Sequence, residues 1–595
     1  MTLRRALLPL LALPLLALAA TLAVLSGPSG QAAPLQHRLR AGLTADNPVA
    51  LENQKPGSGG WDASPSSVPG QLAVYASELS VAPGEPVHLH VSAGSSYSVS
   101  VYRLGWYGGQ GGRLLAQLPA HQGSLQLEAS PDPVTGEVKE SWPVTDVVQT
   151  GSDWVSGYYV AKVESSGQGA VEVPFVVRES PNGSHAAILV QVPVNTWQAY
   201  NPYGGKSLYN FGCACGVAAV KVSFDRPYGV GAQGPFIWEI QSLRWLESQG
   251  YDIAYQTDYD TDQHPESLLE HRLVMTLGHG EYWTKAERDG FEAAIAQGTN
   301  VAFLGSNTGY WQVRYEDGGR TLVGYKDTVP DPVADPAQQS ILFRELGRPE
   351  CQLLGVMHTA LRAHQDGLIG YTVPASGASD PWMQAAGFKE GDFVPDIVGN
   401  EWDNVVPGCV PPGARDFTVL LHYQATPGVP SNADAVRYTA PSGARVFASG
   451  AQMWGWGLDT WAVRYQGDSD PASPKLQQLM RVMLQDLTRP EPPQALYAKR
   501  SPRLMKGKAR VHVWGTLVAD PRLSQVVILR HSGPADFAPS DPAATTVCTL
   551  ASAQALATGC RDSVRPGLYR YEAVASDGWG SSDPAESQAL RVPRR

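Results

Sequence analysis

Four groups of polar side chains stand where apolar runs of this sequence break off, and these are the residues with chemistry to offer. His279 and Glu281 follow the run 273–277 and the turn residue Gly278, placing a proton carrier and a carboxylate on either side of Gly280. Asn195 and Tyr200 follow the run 186–192. Asp258, Asp260 and Asp262 follow 251–255, and Ser306, Asn307, Tyr310 and Trp311 follow 300–304. If the runs are parallel strands, their following loops emerge at one edge of a sheet and converge. Each group also has a plainer use. Asp258 to Asp262 has the alternation of a calcium loop but lacks its glycine and distal glutamate, so turn and capping chemistry is the better reading. Asn307 could cap a helix, and a lone His279 is more often structural. Glu281 is harder to dismiss, because an unpartnered carboxylate beside two aromatics is costly unless it meets a cation or a donor.

Nucleophiles are scarce. There is no Gly-x-Ser-x-Gly elbow, and 305–309 matches one only in outline. No cysteine follows a central run. A metal-activated water or a binding-only site remains.

The elements that must position these residues can be read from the spacing of apolar side chains. Residues 72–178 alternate in short stretches with turn signals between them, the pattern of a β-sandwich. From 185 the runs become continuous and alternate with helical spacing, as at Ile240, Leu243 and Leu246, and Thr284 to Glu287 forms a capping box. The expected fold is α/β: a doubly wound, largely parallel sheet of the amidotransferase or flavodoxin kind, flanked by an N-terminal and a small C-terminal β-sandwich. The expected boundaries are a leader at 1–33, an extended lead-in at 34–70, a sandwich at 71–180, the α/β domain at 185–488 with an irregular insertion at about 321–430, a Pro-rich linker at 489–504 and a sandwich at 505–595.

With 595 residues the chain needs more than one core. Its net charge of −11 argues against a nucleic-acid partner. Arg4 and Arg5, a long apolar run and small residues up to Ala33 read as an export signal, with a retained N-terminal anchor as the alternative and the one route to a membrane. Export makes disulfides plausible among the six cysteines. Cys548 and Cys560 are expected to pair, and Cys351 with Cys409 is a second candidate; Cys213 and Cys215 are too close together for a bridge to be assumed.

Several stretches resemble the C-terminal region of the large chain of bacterial N,N-dimethylformamidase and its relatives. They are Gly278-His-x-Glu-Tyr-Trp283, the segment 300–307 with Tyr310 and Trp311, Glu52 to Gly57, Val101 to Gly109, and Thr196 to Gly205. The resemblance covers roughly 51–486. It implies a mononuclear ferric iron held by two tyrosines and a glutamate. The glutamate falls on Glu281 and one tyrosine on Tyr200, while the second is placed at Tyr159, beside Tyr158. Phenolate ligands suit a ferric ion, whose charge would lower the pKa of bound water. The resemblance makes His279 a proton-transfer or water-orienting group, Asn307 a contact for the substrate carbonyl and Glu401 an acid/base group. Many relatives carry Asp where this chain has Gly280, which removes a carboxylate from beside the site. The function implied is an exported iron-dependent hydrolase of amide-type C–N bonds, acting on a small-molecule amide, with a homo-oligomer allowed. The alternatives are a surface binding or assembly protein that has kept the fold without the chemistry, and a glycan-active surface enzyme.

Overall fold

The computed structural model describes residues 47–593, apart from 62–65, 68–69, 182–184, 213–215, 230–234, 327–328, 363–368, 462–471, 507, 518–519, 521 and 533–543. The expected leader and the pair Cys213 and Cys215 lie outside the described residues. Among those described, no helix is long and apolar enough to cross a membrane.

At the centre is a nine-stranded sheet, whose strands we number along the chain: β1 (Ile188–Val192), β2 (Ile253–Thr257), β3 (Leu273–Gly278), β4 (Asn300–Gly305), β5 (Ile369–Thr372), β6 (Phe393–Val398), β7 (Arg415–Tyr423), β8 (Ala433–Thr439) and β9 (Arg445–Ala448). Their order is β2-β1-β3-β4-β9-β8-β7-β5-β6. The first five in this order run parallel. The remaining pairings, from β9 to β6, are antiparallel.

The expected doubly wound, flavodoxin-like sheet is therefore wrong. The sheet is mixed, and the described chain as a whole has more strand than helix. The cause lies in the stretch expected to be irregular, 321–430. It contributes β5, β6 and β7, which extend the sheet beyond β8 by antiparallel pairing.

The parallel strands are buried along their whole length. This is why they read as unbroken apolar runs. Helix α1 (Val194–Tyr200) follows β1, α2 (Ile240–Ser248) precedes β2, α3 (Asp258–Gln263) follows β2, α4 (Lys285–Ala296) precedes β4, and α5 (Pro474–Leu487) follows β9. The capping box at Thr284 and Glu287 forms as expected. So does the turn chemistry of the aspartates. Thr257 and Asp260 cap α3, Asp258 receives the Asn195 amide at 2.9 Å, and Asp262 accepts from the Thr284 hydroxyl at 2.6 Å.

Before this layer, strands from Leu72 to Val177 form two facing sheets around a core that includes Val74, Leu89, Val101 and Phe175. After it, strands from Ala495 onward form two more sheets around Val511, Val526 and Tyr571. The first of these strands, Ala495–Met505, begins inside the stretch expected to be a linker. Both anticipated disulfides are present. Cys351–Cys409 ties the insertion to itself, with Cα atoms 5.7 Å apart. Cys548–Cys560 joins the two C-terminal sheets, with Cα atoms 6.6 Å apart.

Candidate functional site

The carboxyl ends of β1, β3 and β4 deliver the first side chains. β3 ends at Gly278, whose φ of +65° and close approach to Trp238 leave no room for a Cβ. The chain turns there and buries both His279 and Glu281. The Thr196 hydroxyl, on α1, accepts the Glu281 amide at 3.0 Å and fixes the backbone. The same helix ends at Tyr200, whose hydroxyl donates to Glu281 Oε2 at 2.7 Å. Gly280, by contrast, has an ordinary φ, and a Cβ there would meet its nearest atom at 3.4 Å. The fold does not demand a glycine at this position.

Glu281 has a second phenol. The Tyr209 hydroxyl donates to Oε1 at 2.5 Å and lies 2.9 Å from the Tyr200 hydroxyl, and the two rings stack at 4.4 Å. The two phenol oxygens thus lie against each other, and each meets a different carboxylate oxygen of Glu281. Tyr159, the residue expected here, is not brought to the site. It sits in the sandwich core between Trp154 and Phe175, and its hydroxyl donates to the Val155 carbonyl at 2.6 Å. Its neighbour Tyr158 packs on Tyr255 and Trp197 instead. Tyr209 escaped the sequence reading because it lies in an aperiodic stretch. Its place is set by a turn, in which Ser207 Oγ accepts the Tyr209 amide at 3.1 Å.

The insertion supplies the opposite wall. Strand Asn400–Asn404 pairs with Met357–Arg362 and carries Glu401 to within 3.0 Å of His279 Nε2. That nitrogen is 3.3 Å from Glu281 Oε2. Asn307, just past β4 with φ +53°, donates through Nδ2 to Glu401 Oε2 at 2.7 Å, and its backbone amide donates to Asp403 Oδ1 at 2.9 Å. Such a backbone angle in a non-glycine residue is held only by surroundings that over-determine it. The structure thus brings together His279, Glu281, Tyr200, Asn307 and Glu401 of the expected set, and leaves Tyr159 out.

Burial resists charge on His279, but Glu401 first, then Glu281 and Glu239, outweigh it and raise its pKa to about 9. Burial likewise works to raise Glu401, and the positive charges of His279 and His358 reverse the direction, keeping it ionised. The Tyr200 and Tyr209 hydroxyls are pushed well above their usual range, by burial and then by the negative charge of Glu281. Two further basic groups were not foreseen. The Lys326 ammonium lies 3.5 Å from the Tyr209 ring centroid and donates to the Tyr282 hydroxyl at 3.1 Å. His358, 3.7 Å from Asp403, packs edge-on to Tyr310.

The donor set fits the ion implied by the resemblance. Two phenols and a carboxylate are hard oxygen ligands, the kind that suits a small, highly charged cation. Here they already converge, separated by phenolic protons that such an ion would displace.

A buried cluster of this composition, built on strand ends and completed by an inserted strand, defines a class of protein with acid/base and oxygen-ligand groups side by side. Comparison with known proteins makes the class specific. The family described as N,N-dimethylformamidase beta subunit-like, C-terminal, matches residues 98–470, and the chain belongs to this family. The resemblance carried by the motifs is thereby borne out. Two similar curated proteins are the N,N-dimethylformamidase beta subunits of Alcaligenes sp, 34% identical over 82 residues, and of Paracoccus aminophilus, 33% identical over 82 residues. In each case the match covers 13% of this chain and only 11% of the relative. Among solved structures, domains A168-A170 from titin align over 88% of this chain and 100% of that one at 8% identity. The TM-score of 0.14 is too low to bear on the fold.

Proposed function

We propose that this protein hydrolyses amide-type C–N bonds of small molecules, in a pocket where Tyr200, Tyr209 and Glu281 hold a mononuclear ferric ion. The observation that carries the reading is the set of two phenol oxygens and the two carboxylate oxygens of Glu281, joined by contacts of 2.5–2.9 Å, in a member of this family. The ion, when bound, would supply Lewis acidity to water and carbonyl oxygen.

The chain's own residues supply the proton path. His279 Nε2 lies 3.0 Å from Glu401 Oε2, and the two act as one acid/base unit. Water adds to the carbonyl carbon and its proton passes to this pair. The C–N bond breaks as the pair returns a proton to the departing nitrogen, leaving a carboxylic acid and an amine. Asn307 fixes Glu401 through one Nδ2 hydrogen, and the other is available to a substrate oxygen. Asp403, by holding the Asn307 amide, keeps that geometry rigid.

The two disulfides support a working place outside the reducing cytosol, in line with an exported chain. The test of the activity is amine release from a panel of small formamides, acetamides and ureas. The reading expects turnover with at least one of these and none with Glu281→Ala. An iron-loaded, folded protein that releases no amine from the whole panel would refute it.

A further inference from the structure

A second cluster of ligand-type side chains lies at the opposite end of the parallel strands. His271 precedes β3, His185 precedes β1, and Glu179 follows the last strand of the first sandwich. β3 itself, roughly 20 Å long at about 3.3 Å per residue, separates His271 from the Glu281 pocket.

We propose that Glu179, His185 and His271 bind a divalent transition ion of the zinc class. One ligand atom from each lies within 4.8 Å of the others. Glu179 Oε1 is the focus, 2.7 Å from His185 Nδ1 and 3.4 Å from His271 Nε2. Tetrahedral zinc would draw such atoms to about 3.3 Å apart, a small adjustment here. Two imidazoles and a carboxylate are a borderline donor set, unlike the all-oxygen set around Glu281, so the two sites should select different ions.

The surroundings are those of an oriented site. His271 is buried, and its Nδ1 lies 2.8 Å from the Ala186 carbonyl, which can only accept. Nδ1 therefore carries a proton and donates to that carbonyl, which leaves Nε2, 3.4 Å from Glu179 Oε1, as the ring atom facing the carboxylate. A backbone carbonyl on the far nitrogen is also how metal-bound histidines are commonly held. Glu179 is fixed in the same way, since its Oε2 accepts the Ala186 amide at 3.0 Å. Without metal, the pair of His185 and Glu179 would be a simple ion pair. Glu270 Oε2, 3.5 Å from His185 Nδ1, offers a fourth ligand. A cleft of about 550 Å³, lined by these residues with Arg178 and Glu266, gives an ion a way in. Metal here would tie the segment leaving the first sandwich to the start of the central sheet.

The experiment uses the full chain stripped of metal and titrated calorimetrically with Zn²⁺, comparing wild type with His185→Ala, His271→Ala and Glu281→Ala. The His185 side chain is 37% exposed, and circular dichroism checks that each variant is folded. The expected result is one Zn²⁺ retained in wild type and Glu281→Ala, with affinity at least tenfold weaker in His185→Ala and His271→Ala. The proposal is overturned if wild type binds no Zn²⁺, if folded His185→Ala binds as well as wild type, or if only Glu281→Ala abolishes binding. The last outcome would assign the ion to the other pocket, and none of these results depends on amide hydrolysis.

Discussion

Two tyrosines separate what the residues alone could tell from what required the fold. Tyr200 and Glu281 were legible because each follows an apolar run, and parallel strands deliver such ends to one edge. Tyr209 was not, because a stacked ring in a turn leaves no periodic trace. Tyr159 was credited with its role through the resemblance, yet its hydroxyl is satisfied by Val155 inside a sandwich. The two are separable by mutation. Tyr209→Phe should weaken iron retention by at least about tenfold, while Tyr159→Phe should leave iron in place and cost about 1 kcal/mol of stability through one lost hydrogen bond. Iron analysis beside thermal melts reads both effects. Glu401 makes a third case. It was singled out within an apparently shapeless insertion, and the structure sets it against His279. Glu401→Gln should lower kcat by about 10²–10⁴-fold with iron content unchanged; a parallel loss of iron would make it a metal-holding residue instead.

At the scale of elements, the central parallel strands and their capped helices were readable, and the rest of the sheet was not. Proline and glycine throughout 321–430 masked the strands, which are interrupted by register shifts in β5 and β7. The same region contains a local anchor. Asp331 accepts from Arg314 at 2.6 Å and from the amide and hydroxyl of Ser340 at 2.8 and 2.7 Å. Burial works to raise its pKa, but the guanidinium and the Ser340 donors prevail and hold it at about 2, from an ordinary 3.8. A carboxyl depressed in the folded state stabilises above its unfolded pKa, and that contribution fades as pH falls from about 4 to about 2. Asp331→Asn should therefore cost about 1–2 kcal/mol at pH 7 and almost nothing near pH 2. Denaturation of both proteins across that range checks the sign; a gap that persists at low pH would mean the charge is not what matters.

Across the whole molecule, the motifs ahead of and within the first sandwich prove to be a clasp. Arg103, fully buried, meets Glu247 of α2 through two bonds of 2.9 Å each. Asn53 and Tyr255 donate to the same carboxylate, and Tyr107 donates to Glu52. The stretches around Glu52 and Arg103 looked like family signatures without a role. Their role is to fasten the sandwich to the central layer. Glu247→Ala strands a buried guanidinium and should cost about 3–5 kcal/mol, visible as a large drop in the denaturation midpoint.

The central claim is that Tyr200, Tyr209 and Glu281 exist to hold a ferric ion. It is tested most directly by the iron content and absorption spectrum of the purified full chain. The account predicts close to one iron per chain and a tyrosinate-to-iron charge-transfer band in the visible, with both lost in Glu281→Ala. A folded wild-type protein that stays colourless and free of iron after exposure to the metal would contradict it.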